Sequence, residues 1–262
     1  MKKYFEILKI KINSTITEKE IILIWSFSSF IILLGSIAFW TSSGTTQIGS
    51  YTNRSIPAYH IYIFAVREIV QWLVFWEIYG DIRDGRISNV LLKPISYLRM
   101  KILGELGYHV VSAVISSIVI TALVLLTYRS LDFDVSTSSL LLSVVAFPIS
   151  IAVTFLLNFI IGCATFFWTE SYFLEQLYWI ITATFGGAYV PIALYPDKIA
   201  TILGFSPFRY TYSFPAEIAF RKLDNAGLVL GMTLGIIWVI VLYFLAKLIW
   251  KAGLKKYSAF GT

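Results

Sequence analysis

The chain has 262 residues, of which 58% are hydrophobic and 14% are charged, and its mean hydropathy is +0.77. A soluble domain carries about 25% charged residues, so this composition excludes an ordinary soluble protein and predicts one that crosses a membrane several times. The net charge of +6 does not indicate nucleic-acid binding, because the basic residues gather beside apolar runs.

Three segments contain most of the basic residues. The first 19 residues, residues 83–101 and residues 247–256 together hold 14 of the 21 Lys and Arg side chains. Membrane-protein segments rich in Lys and Arg stay on the cytoplasmic side. We therefore expect both termini in the cytoplasm and an even number of membrane-spanning helices.

An amphipathic helix and six apolar stretches are expected along the chain. In residues 1–19, lysines alternate with apolar residues at helical spacing, which predicts a helix lying in the membrane interface among anionic head groups. About 20 apolar residues cross a bilayer core. The predicted spans are residues 21–40, 56–78, 103–128, 140–168, 176–193 and 227–250. The predicted fold class is an all-α polytopic membrane protein.

Two charged residues, Arg67 and Glu68, fall near the middle of the second predicted span. A charge there costs at least about 2.5 kcal/mol, so each side chain is expected to face other helices or a wet cavity. Two interpretations stay open, a polar point on a translocation path and a structural ion pair. His60 and His109 have no carboxylate or second histidine at ligand spacing, so we expect neither to be catalytic or metal-binding.

A polar segment over residues 80–92 separates the second and third spans. Its glycines loosen the backbone around paired opposite charges, which can lie along a short helix exposed to water. Lys93-Pro94 is expected to end this helix. A docking element for a soluble partner and a plain solvated loop both fit this pattern.

The fifth predicted span contains a run of small residues, including Gly186 and Gly187. Small residues let helices approach closely, so we expect a helix interface, either a dimer seam, the translocation path or packing within the chain. The turn before this span, residues 169–175, carries no Lys or Arg, which makes it the weakest point of the topology. Cys163 lies in an apolar run and is expected to be a packing residue.

Four of the seven prolines lie between residues 191 and 225. The apolar pieces between them are too short to span a bilayer. Residues 194–225 therefore predict a broken, partly re-entrant helical hairpin at the outer face.

Several segments, taken in their order along the chain, resemble the ABC-2 family of transporter permeases. They are GDIRDGRISNVLLKPIS after the second span, FWTES after the fourth, PIALYP before the outer hairpin, and the ending WKAGLKKYSAFGT. The likeness covers essentially the whole chain and points to small bacterial permeases with a G-x-I-R-x-G-x-[LI]-x-x-x-L-L-[KR]-P segment and a W-x-x-G-L-x-x-Y-S ending.

The resemblance implies the fold of a type V ABC exporter permease. It implies two permeases per complex, identical or different, with two ATP-binding subunits that hold ATP and Mg²⁺, in the bacterial inner membrane. It also implies that a coupling helix enters a groove on the ATPase subunit. That helix would lie within Gly80, Asp81, Ile82, Arg83, Asp84, Gly85, Arg86 and Ile87.

The energy source is expected on another chain, because the sequence has no G-x-x-x-x-G-K-[ST] phosphate loop and no bound cofactor is expected. Apolar spans and an aromatic-rich hairpin favour a lipophilic or amphipathic cargo, and a polar path for a glycan stays open. Two alternatives remain. A non-transporting sensor or scaffold predicts ATPase binding without substrate-coupled turnover. A membrane enzyme needs paired carboxylates or His with Asp at one depth, and the sequence shows only scattered charges.

Overall fold

The described part of the chain forms eleven α-helices and one short β-hairpin. The computed structural model describes residues 2–17, 19–42, 47–49, 51–72, 74–92, 96–168 and 170–258. The predicted stop at Lys93-Pro94 and the last four residues of the C-terminal tail lie outside these ranges. In order, the elements are α1 (Lys2–Thr17), α2 (Lys19–Ser42), β1 (Gln47–Ile48), β2 (Tyr51–Thr52), α3 (Ser55–Val70), α4 (Val74–Arg83), α5 (Ile87–Leu91), α6 (Tyr97–Thr127), α7 (Thr137–Cys163), α8 (Tyr172–Phe185), α9 (Asp197–Phe205), α10 (Ser213–Ala219) and α11 (Asn225–Ser258).

Three of the described helices are long and apolar enough to cross a membrane. They are α6, α7 together with the 3-10 turn that follows it, and α11 through Tyr257. A shorter apolar stretch, Phe30–Ser42, forms the second half of α2. The predicted class, an all-α membrane protein, is confirmed in its helical and apolar character, and the number of six spans stays a prediction.

The expectation of one continuous helix over residues 56–78 is wrong. Helix α3 stops at Val70, because Gln71 leaves the helical region with φ −76° and ψ 92°. Helix α4 starts only at Val74. The indole of Trp72 lies between the two helices and stacks on the ring of His109 in α6, with centroids 5.3 Å apart. The apolar sequence alone predicts that the helix continues here. In the structure the helix is interrupted, and Trp72 makes a tertiary contact with α6.

The predicted bounds of the fifth span, residues 176–193, are also wrong. Helix α8 has 14 residues and ends at Phe185, with Gly186 as its C-cap. At 1.5 Å per residue it is about 21 Å long, less than a bilayer core of about 30 Å. Gly187 has a φ of +87°, a left-handed conformation that turns the chain away from the helix axis.

Prolines start the short helices that follow α8. Pro196 is the N-cap of α9, Pro207 is the first residue of a 3-10 turn over Pro207–Tyr210, and Pro215 lies in the first turn of α10. A proline fits these positions because the first helical N–H groups need no intrahelical acceptor. The region is a broken series of short helices, and the outer re-entrant hairpin over residues 194–225 stays a prediction.

Helix α7 lies at the centre of the fold, where it packs against α4, α10 and α11. A second group of contacts joins α6 to α1 and α3, and α3 to α2. Helix α1 passes so close to α6 that a Cβ added at Gly107 would lie 3.0 Å from Cβ of Lys11. Helix α4 belongs to the first group, and its C-terminal end carries the charges described next.

Gly187→Ala is expected to destabilise the protein by about 1–3 kcal/mol, since an L side chain is strained at this φ. The new methyl group would also lie 2.8 Å from Cβ of Ser213. The control is Gly35→Ala in α2, where an added Cβ meets nothing within 4 Å. Thermal stability in mild detergent, followed by the folded fraction on size exclusion, is the measurement. If the two variants are equally stable, the left-handed conformation of Gly187 and its close contact with Ser213 do not require a glycine.

Candidate functional site

The charged segment, residues 80–92, forms a helix, a turn and a second short helix. Asp81 and Arg83 lie on the last turn of α4, whereas Asp84 and Arg86 lie in the turn before α5. Gly85 has a φ of +70°, which a residue with a side chain rarely adopts. The expectation that all four charges follow one short helix is therefore wrong, because α4 ends at Arg83 and α5 begins only at Ile87.

Two isoleucines hold the charged segment on the protein while its charges face outward. Ile82 is 8% exposed and Ile87 is fully buried. The side chains of Arg83, Asp84 and Arg86 are 51%, 56% and 59% exposed. Burial of the two apolar side chains stabilises this arrangement, and it presents a charged turn to any molecule that approaches.

Arg86 connects the two arms of the turn. Its guanidinium lies 3.1 Å from the Asp84 carboxylate and 3.6 Å from that of Asp81. It also lies over Gly80, where an added Cβ would be 2.6 Å from Nη2 of Arg86. These contacts keep Arg86 folded back over α4, with more than half of its side chain still exposed.

A largely buried group of charges, the ionic cluster, lies beneath the charged segment and consists of Lys11, Glu77, Asp81 and Lys101. The Lys101 side chain is 6% exposed, and its Nζ lies 3.0 Å from Glu77 Oε2 and 2.8 Å from Asp81 Oδ2. Lys11 Nζ lies 2.7 Å from Glu77 Oε1. The cluster therefore connects α1, α4 and α6 at one end of the molecule.

The hydroxyl of Tyr97 completes this arrangement by donating a hydrogen bond to Asp81 Oδ2 at 2.8 Å. The Tyr97 ring stacks on Trp250 of α11, with centroids 4.6 Å apart and ring planes 13° from parallel. Asp81 thus belongs to the charged segment and also contacts two side chains of α6, those of Lys101 and Tyr97. Any displacement of Asp81 must change contacts with α6.

The C-terminal end of α11 packs on the charged segment. The hydroxyl of Tyr257 lies 3.1 Å from Ser88 Oγ and 3.5 Å from the carbonyl oxygen of Gly85. Gly253 allows close contact with the Phe166 ring, since an added Cβ would lie 2.2 Å from it. The sequence itself contains a signal for this contact. Trp250, Gly253 and Tyr257 are spaced i, i+3 and i+7, which places them on one helix face.

Arg67 and Glu68 find separate partners at the interruption between α3 and α4. Arg67 Nε donates to the side-chain oxygen of Gln71. Glu68 Oε2 accepts hydrogen bonds from Ser112 at 2.8 Å and Ser116 at 2.9 Å, both in α6. The structure connects Glu68 to α6 through neutral hydroxyl groups. Whether either residue contacts a transported molecule stays a prediction.

His109 lies beside this pair and has a carboxylate neighbour that the sequence analysis overlooked. The expectation of no carboxylate at ligand spacing is wrong, because Glu105 precedes His109 by one helical turn, with Oε2 3.7 Å from Nε2. His109 Nδ1 lies 2.9 Å from the backbone carbonyl of Glu68. Glu105 and His109 therefore lie together on one face of α6. Among the described residues, no group of three or more His, Cys, Asp or Glu could hold a metal ion.

His60 and the glycine pair take structural positions. The two ring nitrogens of His60 lie 2.8 Å from the Ile56 carbonyl and 2.9 Å from the Tyr189 carbonyl. The carbonyl of Gly187 accepts a hydrogen bond from Tyr59 at 2.7 Å, and a Cβ at Gly186 would meet Thr211 Oγ1 at 2.3 Å. Gly186 and Gly187 thus pack within the chain at the end of α8, and a role between two copies stays a prediction.

One family model matches the sequence. Its description is "ABC-2 family transporter protein", and the match covers residues 23–261. This range includes the charged segment, the series of short helices from α9 to α10 and the Trp250 to Tyr257 face of α11. No curated protein matches the sequence.

Lys101→Met is expected to lower the free energy of unfolding by roughly 3 kcal/mol, because it leaves the Asp81 and Glu77 carboxylates without their buried cation. Lys251→Met on the exposed surface of α11 is the matched control, expected to change stability by less than about 0.5 kcal/mol. Thermal denaturation of the two purified variants is the comparison. If Lys101→Met is as stable as the control, the ionic cluster does not stabilise this end of the protein.

Proposed function

Because the chain belongs to the ABC-2 family of transporter proteins, we propose that it is the membrane permease of an ATP-driven exporter and that its charged segment docks on a separate ATP-binding subunit. The observation that carries this proposal is the position of Asp81. Its side chain is 14% exposed and lies on the last turn of α4, directly before the exposed charges of the charged segment, and its carboxylate binds Lys101 and Tyr97 of α6. A movement imposed on the turn would therefore reach a long apolar helix directly.

A second route for that movement runs through α11. Tyr257 contacts Ser88 and Gly85 of the charged segment, and Trp250 stacks on Tyr97, whose hydroxyl donates to Asp81 of the ionic cluster. Helices α6 and α11 are two of the three described helices that are long enough to cross a membrane. Their shared contact with one turn supports a cycle in which ATP binding closes two ATP-binding subunits and the permease helices re-orient.

The arrangement of the ends supports a cytoplasmic position for both termini. Lys11 near the N-terminus and Tyr257 near the C-terminus lie at the end of the molecule that carries the charged segment. The basic side chains of the chain concentrate in the same three regions. By the positive-inside rule, this end faces the cytoplasm, where an ATP-binding subunit would be, and the proposed location is the bacterial cell membrane.

The remaining parts of the proposal rest on sequence. The chain has no phosphate loop, so ATP and Mg²⁺ would bind to two partner ATP-binding subunits. Two permeases, identical or related, would enclose the transport path between them. Apolar helices and the aromatic outer region favour a lipophilic or amphipathic cargo, exported from the cytoplasmic side or from within the membrane.

The docking role is tested by co-purification from native membranes in mild detergent, with this chain tagged. The double variant Asp84→Ala, Arg86→Ala is expected to recover at least about tenfold less ATP-binding subunit, which corresponds to about 1.4 kcal/mol. The matched control is Arg129→Ala, Asp132→Ala, which removes the same charges at the opposite end of α6.

Three results of this experiment have distinct meanings. Loss of the ATP-binding subunit from the folded double variant, with retention in the control, supports docking at the charged segment. Equal loss in both variants would place the docking surface elsewhere. If the unaltered chain recovers no ATP-binding protein, the exporter proposal lacks its energy source and fails.

The effect of added cargo on the rate of ATP hydrolysis distinguishes a transporter from a sensor or scaffold. The purified complex in lipid nanodiscs should hydrolyse ATP faster, by about twofold or more, when a cargo of the lipophilic class is added. The complex of the Arg129→Ala, Asp132→Ala control, which is expected to keep the ATP-binding subunit, should keep this stimulation. A complex that contains the ATP-binding subunit, hydrolyses ATP and responds to no lipophilic, amphipathic or glycan compound would favour the sensor interpretation.

A further inference from the structure

A cavity of about 250 Å³ lies beside the charged segment. Its walls come from three separate parts of the chain: Arg83 at the end of α4, Phe166 and Phe167 after α7, and Lys256 and Tyr257 at the end of α11. About 10–15 Å³ admits one water molecule, so this cavity has room for a side chain. The cavity borders the charged segment, because Tyr257 also contacts Gly85.

The cavity has an apolar base and a positively charged rim. Ile82 and Phe166 are 8% and 5% exposed and supply apolar surface. Arg83 is about half exposed, and Lys256 Nζ donates to the Phe167 carbonyl at 3.2 Å. None of the described residues that line the cavity is acidic. Its charge therefore complements a carboxylate that enters on the stem of a side chain.

One acidic residue of the chain lies at the edge of this site. The Glu170 carboxylate is 3.8 Å from Arg83, and the two side chains are 77% and 51% exposed. An exposed pair at this distance contributes little, so it can be exchanged for a partner's carboxylate at small cost. A carboxylate held in the cavity would lose water contact when a subunit covers it, which strengthens its attraction to the two cations.

We propose that this cavity receives an Asp or Glu side chain of the ATP-binding subunit, with its carboxylate bound by Arg83 and Lys256. The proposal rests on the docking function of the charged segment and extends it to the C-terminal end of α11. Docking would then involve two elements, a charged turn and the last helix. The ATP-binding subunit would contact α11 directly, in addition to moving it through the turn.

Zero-length cross-linking identifies the contact. A water-soluble carbodiimide joins a lysine amine to a carboxylate in direct contact, with loss of water, and mass spectrometry of the co-purified complex locates the new amide bond. We expect a cross-link between Lys256 and an acidic residue of the ATP-binding subunit. Lys256→Arg should keep the subunit bound and lose the cross-link, because arginine has no reactive amine.

Charge reversal tests the energetic role. Lys256→Glu is expected to recover about tenfold less ATP-binding subunit at physiological salt, since it places like charges in contact. Glu170→Gln should recover as much or more, because it removes the carboxylate that competes for Arg83. Lys251→Glu, five residues earlier at an exposed position of α11, is the matched control and should have little effect. Size-exclusion elution establishes that each variant is folded.

Three outcomes overturn the proposal and leave the docking turn intact. One is a folded Lys256→Glu variant that retains the ATP-binding subunit while Asp84→Ala, Arg86→Ala loses it. A second is cross-linking confined to lysines other than Lys256. A third is a Lys256→Glu variant that recovers as much ATP-binding subunit as the unaltered chain but less anionic phospholipid. That result would make the cavity a lipid head-group site. If the unaltered chain recovers no ATP-binding subunit, the docking function and this proposal both fail.

Discussion

The Lys101 ammonium, buried between the carboxylates of Glu77 and Asp81, is the interaction on which the end of the structure that carries the charged segment depends. A buried ammonium costs several kcal/mol of lost hydration, so it is stable only while its partners stay in place. Glu77 also binds Lys11 of α1, and Asp81 also accepts a hydrogen bond from Tyr97. The need to pair the Lys101 ammonium thereby holds α1, α4 and α6 together and fixes the start of the charged segment.

This arrangement explains how an exposed turn can transmit movement. A flexible loop would absorb a displacement within its own backbone. Here the turn is held by buried Ile82 and Ile87, by the ionic cluster and by Tyr257 of α11. A force on the charges would be passed to α6 and α11 through short polar contacts and stacked rings. The proposed acidic contact at Lys256 would bring the partner subunit onto the second of these helices.

The helix boundaries show where local patterns lose predictive power. Residues 56–78 read as one apolar span, yet the chain leaves the helix at Gln71 and places Trp72 on His109 of α6. A hydropathy window averages over about 20 residues and cannot register a single stacking contact with a distant helix. Gly186 and Gly187 lie where α8 ends and pack closely within the chain. Their use as a helix end depended on Tyr59 and Thr211, which are distant in the sequence.

The sequence by itself determined the membrane class, the helical architecture, the family and the location of the charged segment. These properties follow from sums over neighbouring residues, such as transfer free energy and the placement of lysines and arginines beside apolar runs. Only the tertiary structure decided which charges pair, where helices break and which helix covers the turn. Lys101 meets Glu77 across 24 residues, and Tyr257 meets Ser88 across 169. Such contacts depend on the path of the whole chain, because a charge selects its partner by distance in space and by burial.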